Sequence, residues 1–393
     1  MTRRLRIFLS VIALVGGVLV THMPAAEAIG IYRTDGNDVQ GALDLASVRL
    51  TEIKGGDRFT IRTLTAFTAT QLNGSNGWVE VDIDVNADRN FEYWVAVFYN
   101  NGKLRAVQGH GDRGVRYVPV RRVDKRAVSF DLAHRYLGSV GSFDFATFSV
   151  WRASPCSKRK PCVDAIPNRY PLMRHDWTPP TIAWTSVPTF STDVSDTLTF
   201  PVSFTVHDNQ YGSGLDHWAL QRSADGGPWV TVKTGHLAAP VVSVTGEEGA
   251  HYDFRVVAVD RQKNKSIKAG RSTDIPWDDA NATTFSYSSP PTTATGLTGP
   301  FLGTTSTVAN TDTITVTLAA GVSNLCVLGG PASAQTSTVN VTIDGNPVTT
   351  FSENDTTSYL TPHCTNTPVA AGTLVLTVTT AEPFVFDGLV VQP

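Results

Sequence analysis

Methionine is almost missing from this 393-residue sequence, with three in all, and cysteine is held to four. Lys and Arg are absent from Ala280 to Pro393, a stretch that carries six acidic residues. No apolar run reaches the roughly 20 residues that a membrane-spanning helix needs. Amphipathic helical stretches are few, which excludes a helical bundle. There is no G-x-S-x-G nucleophile elbow and no His pair at zinc-ligand spacing. Residues 29–175 hold 21 basic and 15 acidic residues, and residues 176–279 hold 8 and 13. Only the first stretch is basic, and mildly so, which argues against nucleic acid as a partner.

What is present begins with an export signal. Arg3, Arg4 and Arg6 precede an apolar run from Ile7 to Val20, interrupted by Ser10, Gly16 and Gly17. Pro24 and the small-x-small triplet Ala26-Glu27-Ala28 follow. This is the layout of a secretory signal peptide over residues 1–28, and the run is short for the rival reading, a membrane anchor. Cleavage after Ala28 leaves a chain starting at Ile29, expected to be secreted and without a membrane span.

The cysteines agree with an oxidising compartment. Cys156 and Cys162 flank a short loop holding Lys158, Arg159 and Lys160, and Cys326 and Cys364 share the last third of the chain. An even count in an exported protein favours two disulfides, Cys156–Cys162 and Cys326–Cys364, over a zinc site.

The rest is short alternating runs punctuated by Gly, Asn, Asp and Pro, the pattern of an all-β chain. Some 365 residues after the signal exceed one core, and the charge distribution changes twice. Three β-sandwich domains in series are expected: 29–175, 176–279 and 280–393. In the first, strands are expected at Val48–Thr51, Phe59–Leu64, Trp78–Val85, Tyr93–Tyr99, Arg116–Val123, Val128–Leu132 and Phe143–Trp151, with a hairpin at Asn101-Gly102.

One segment has the pattern of a cation site. Asp84, Asn86, Asp88, Asn90 and Glu92 place an oxygen side chain at every second position, as D-x-[DN]-x-[DN] loops do around Ca²⁺. Asp84, Asn86 and Asp88 are the candidate ligands and calcium the candidate cofactor. Arg89 stands where such loops have Gly, and Val95 where they have the bidentate acid. The competing reading is a polar turn between strands. Gly109-His110-Gly111-Asp112 reads as a hairpin turn, not as a catalytic histidine site. Lys158, Arg159 and Lys160 read as a solvated loop, or as a contact for acidic cell-wall polymers.

Three resemblances follow from particular residues. Asp35–Asp38 with Asp44–Thr51, and Asp82–Trp94 later, resemble the DOMON-like and related carbohydrate-binding sandwiches. Tyr252-x-Phe254-Arg255-Val-x-Ala-Val-Asp260 resembles the penultimate strand of fibronectin type III and immunoglobulin-like domains. Tyr252 then takes the place of their corner tyrosine and Trp218 that of their core tryptophan, while Trp218 and Trp229 are weighed as sugar platforms and read rather as packing. Val341–Gly345, Ala371–Val378 and Phe386–Val391 are similar, in order, to three motifs of galactose-binding-like jelly rolls. That likeness implies a sugar site in the last domain, where Phe351 and Tyr359 are the available aromatics.

The function expected from these features is a secreted, non-catalytic binding protein for extracellular polysaccharide or cell wall. No catalytic residues are expected. The alternatives are a secreted hydrolase with a cryptic site on the N-terminal sandwich, or a cell-surface adhesion protein with a protein partner.

Overall fold

The computed structural model describes residues 30–168, 171–189, 198–331, 337–353, 358–379 and 382–393. The expected signal peptide lies outside the described residues. Among them, three short 3-10 turns are the only helical pieces, so the chain is all-β, as its alternation predicts. No helix among the described residues is long and apolar enough to cross a membrane. The chain divides into two compact units. Residues 30–83, 91–139 and 146–173 make the first, and residues 84–90, 140–145 and 174–393 the second.

The first unit is built on β1 (Ile31–Thr34), β2 (Leu45–Ile53), β3 (Gly56–Thr63), β4 (Gly77–Asp84) but for its last residue, β5 (Tyr93–Asn100), β6 (Lys103–His110), β7 (Arg113–Val118), β8 (Val120–Asp124), β9 (Ala127–Ala133), β10 (Ser142–Trp151) from residue 146 on, and β11 (Cys162–Ile166). One sheet runs β1-β2-β3-β9-β8 and the other β11-β10-β4-β5-β6-β7. The inner faces are apolar. Val48, Leu50, Phe59, Ile61, Phe130 and Leu132 come from the first sheet and Val79, Val81, Ile83, Val95 and Val97 from the second, all at most 1% exposed. Phe59 and Phe130 stack with centroids 5.1 Å apart.

The expected strand Arg116–Val123 is two strands. Pro119 has no N–H to give to a ladder, and the chain changes sheets there, with β7 in one and β8 in the other. The hairpin at Asn101-Gly102 forms, with both residues at positive φ, but its second arm is β6, which the sequence reading passed over.

The second unit holds two cores. In the first, Thr181–Ser186, Thr199–His207 and Val241–Thr245 make a three-stranded sheet; Val230–Gly235, Leu215–Ala224, His251–Asp260 and Lys265–Asp274 make a four-stranded one. Phe200, Val202, Phe204, Trp218, Leu220, Tyr252 and Phe254 share the core they enclose. The other core gathers Ile314, Val316, Val327, Val339, Val341, Leu374, Leu376, Phe384 and Phe386, drawn from a five-stranded and a six-stranded sheet.

Both disulfides form, Cys156–Cys162 and Cys326–Cys364. Cys326 and Cys364 stand opposite one another on the antiparallel strands Asn324–Gly329 and Thr361–Cys364. Sequence separations of 6 and 38 residues correspond to about 2 and about 4 kcal/mol of loop-closure stabilisation. Cys326→Ser with Cys364→Ser is therefore expected to lower the urea midpoint of its core more than Cys156→Ser with Cys162→Ser lowers that of the first unit. Equal losses would count against loop closure as the cause.

Candidate functional site

The site starts from the pleat of β4. Gly77-Trp-Val-Glu-Val-Asp-Ile-Asp84 alternates, so Val79, Val81 and Ile83 enter the core while Trp78, Glu80 and Asp82 share the other face. In β5, Val95 and Val97 go inward and Trp94, Ala96 and Phe98 outward. The register sets Asp82 opposite Trp94 and Glu80 opposite Ala96. On the far side Trp94 faces Gly109 and Ala96 faces Val107. Trp78, Glu80, Trp94, Ala96, Phe98 and Val107, with Gly74 and Arg152, line an open cleft of about 470 Å³.

Its two tryptophans are held in place. Trp94 Nε1 donates to the Gly111 carbonyl at 2.7 Å. Its ring lies on Gly109, where a Cβ would come within 2.0 Å of it, so only glycine lets the ring lie down. The Arg152 guanidinium stands 4.7 Å from the centre of the Trp78 ring, and its Nε has no hydrogen-bond partner. Trp78, Trp94 and Phe98 are half-buried.

Glu80 and Asp82 add a carboxyl pair to this apolar setting. Burial pushes the Asp82 carboxyl up to about 8, and its hydrogen bond with Glu80 and the charge of Glu80 push the same way. Burial and the neighbouring Glu80 thus both favour the protonated form of Asp82. The cleft offers rings for stacking, a guanidinium as donor and the carboxyl oxygens of Glu80 as acceptors.

The sequence-predicted residues lie elsewhere. Asp84, Asn86 and Asp88 sit in the loop after β4, wound by their own side chains. Asp84 Oδ1 accepts from Asn86 N at 3.1 Å and Oδ2 from Arg89 N at 2.8 Å. Asn86 Oδ1 accepts from Asp88 N at 2.9 Å, and Asp88 Oδ1 from Asn90 N at 2.8 Å. That last bond holds the Asp88 carboxyl below its ordinary value. Arg89 adopts φ 73°, the left-handed conformation for which Gly is usual at this place. The carboxylate oxygens keep lone pairs that a hard cation can take.

His110 is exposed at the end of β6, beside the β6–β7 turn. Trp218 is 3% exposed, a core residue, and donates to the Leu237 carbonyl. Phe351 stacks on His363 at 4.2 Å and meets Phe384 edge-on, so its ring is occupied by packing. Sequence reading missed Trp78, Glu80, Trp94, Phe98 and Arg152 as a group. The available signal was the polar and aromatic half of two strands already recognised by their apolar half.

No protein-family model matches the chain, and no curated protein matches its sequence. Solved structures to which it is similar include a GH87 α-1,3-glucanase catalytic domain, at 16% identity over 29% of this chain and 27% of that one, with a TM-score of 0.23. A second is the exo-β-1,3-galactanase of Phanerochaete chrysosporium, at 9% identity over 91% and 96%, with a TM-score of 0.25. A third is a carbohydrate-binding module of the β-sandwich superfamily, at 13% identity over 55% and 99%, with a TM-score of 0.28. The chain spans about a quarter of the length of the first glucanase domains it matches. Its neighbours are thus both carbohydrate-binding modules and glycoside hydrolases. The expectation that the chain is not an enzyme is corrected accordingly: catalytic domains stand among the structures it is similar to. A search for a nucleophile elbow passes over carboxyl pairs such as Glu80 and Asp82.

The raised Asp82 carboxyl fixes a pH dependence. From an ordinary 3.8 it rises to about 8, so the folded chain binds this proton more tightly than the unfolded one. The stability it contributes is complete below the unfolded value and is lost as pH climbs through the folded one. Asp82→Asn is expected to flatten the fall in urea midpoint between about pH 4 and about pH 8. A variant whose midpoint falls as steeply as the parent's would rule the shared proton out.

Proposed function

We propose that this chain is an exported carbohydrate-binding protein, and that its glycan site is the Trp78–Trp94 cleft on the outer face of β4 and β5. The observation that carries this reading is the pairing of two fixed, half-buried tryptophans with polar groups on one open sheet face. A pyranose ring offers C–H faces for stacking and hydroxyls for bonding. Arg152 and Glu80, which line the cleft, supply donors and acceptors for the hydroxyls. The partner is an extracellular or cell-wall polysaccharide, since the signal-like start and the two disulfides fit an oxidising exterior. A protein partner on the sheet edges is the competing outcome.

The finer assignments belong to the same proposal. Residues 29–175 form a DOMON-like sandwich. Residues 176–279 form a fibronectin type III or immunoglobulin-like one, supported by the Tyr252 hydroxyl accepting from Glu247 N at 3.0 Å, as a corner tyrosine bonds back to upstream backbone. Residues 280–393 form a galactose-binding-like jelly roll.

Hydrolysis in the same cleft is the second reading, favoured by the proton on Asp82, since a buried carboxylic acid can protonate a leaving oxygen. Against it stands the direct contact of the two carboxyls, closer than the roughly 5 Å that separates nucleophile and acid in retaining glycosidases. One experiment serves both readings. The purified chain is incubated with insoluble polysaccharides and cell wall, and both retention and released reducing ends are measured. Retention is expected, and Trp94→Ala or Trp78→Ala is expected to weaken it about tenfold, the loss of one stacked ring. Unchanged retention in both variants would place the site elsewhere. Reducing ends that vanish in Asp82→Asn would support hydrolysis.

We further propose that Asp84, Asn86 and Asp88 hold calcium. Asp84→Ala with Asp88→Ala is then expected to lower the melting temperature in calcium but not in chelator. An equal drop in both buffers means a plain turn.

A further inference from the structure

The outer face of β4 and β5 does not end at the cleft. Phe98 and Val107, which line it, stand opposite Arg105 on β6 and Tyr117 on β7. Residues opposite one another in an antiparallel pair lie about 5 Å apart and share a face. Arg105 and Tyr117 therefore continue the same face toward the edge of the sheet, where β7 is the last strand. Gly109 and Gly114 keep that face low between Trp94 and Tyr117. They pair with one another, and a Cβ on Gly114 would come within 3.0 Å of Val107 and 3.8 Å of the Trp94 ring. From β4 to β7 the face spans three strand spacings, about 14 Å.

Its far end differs in charge from the cleft. The Arg105 guanidinium lies 5.0 Å from the centre of the Tyr117 ring, and Tyr117 is 64% exposed. The ion pairs among the described residues use other basic groups than Arg105. Residues 103–126 carry eight Lys and Arg against two acids, and one of those acids, Asp124, is paired with Arg62. The potential at this edge is therefore positive, while the acid of the cleft, Glu80, stands at the opposite end, on β4.

We infer that the Trp78–Trp94 cleft extends over β6 and β7 into an anion subsite made of Arg105 and Tyr117, and that its ligand is a polysaccharide bearing carboxylate groups. This ligand class rests on the glycan reading of the cleft and narrows it. A guanidinium presents parallel N–H donors that match the two oxygens of a carboxylate. An exposed ring beside it packs against the C–H face of a sugar. A uronic acid unit carries the carboxylate and the C–H face in one residue. Further units of the same chain lie over Trp94 and Trp78, on the same sheet face.

Polygalacturonate, alginate and hyaluronate test the subsite, each presented to the purified chain as the acid form and as its methyl ester, which removes the charge and keeps the backbone. The parent is expected to bind at least one acid form about tenfold more tightly than its ester, the worth of hydrogen bonds to one charged group. Arg105→Gln is expected to remove that preference. Tyr117→Ala, on the exposed edge strand, must also reduce it, and decides the matter if Arg105→Gln does not fold. Arg121→Gln takes the same charge from β8 in the other sheet and is expected to leave the preference as it is. Trp94→Ala is expected to weaken acid and ester alike. Equal binding of acid and ester, a preference that survives Arg105→Gln, or an equal loss in Arg121→Gln would overturn the subsite. Binding to no acid form would overturn it too; retention on neutral polysaccharides would then still uphold the cleft as a glycan site, and no retention on any would remove both.

Discussion

The first unit depends on the two-residue period of β4 and β5. The same pleat that sends Val79, Val81, Ile83, Val95 and Val97 into the core sends Trp78, Glu80, Asp82, Trp94 and Phe98 to the other face. A slip of one residue in either strand would expose the valines and bury the acids. The apolar half pins the register, and the register holds the polar and aromatic half in place. The lining of the cleft is therefore set by the same register as the core beneath it.

Glycine completes that constraint from the neighbouring strand. Gly109 on β6 leaves the space in which the Trp94 ring rests, and the Gly111 carbonyl takes its N–H. The β6–β7 turn thus works as a support for the ring. The sequence reading of Gly109–Gly114 as a hairpin turn was correct in shape but silent on this second use.

How much was legible follows from what alternation can and cannot report. β4 and β5 were expected at Trp78–Val85 and Tyr93–Tyr99 and are found at Gly77–Asp84 and Tyr93–Asn100, because both bury a strict valine-isoleucine row. β6 escaped notice because its inward residues include Ala106 and Gln108. Gln108 is buried as a polar group, its Nε2 donating to the Tyr136 carbonyl at 2.9 Å, and no hydrophobicity pattern marks such a position. The Asp84 loop was visible because its residues are consecutive. The cleft was not, since its members are brought together only by sheet pairing across many residues.

In the last region Phe351 already stacks on His363, and a chain segment without Lys or Arg lacks the fork donors that hold hydroxyls. The likeness of that region to galactose-binding jelly rolls lies in strand motifs whose residues serve the core, such as Val341, Leu374 and Phe386. Asp387, within the last of these motifs, accepts from Phe301 N at 2.8 Å and Leu360 N at 3.1 Å, so even its acid is spent on joining loops. Motifs that build a fold say where strands pair. A ligand site needs what strand pairing leaves over, and in this chain that surplus lies on the outer face of β4 and β5.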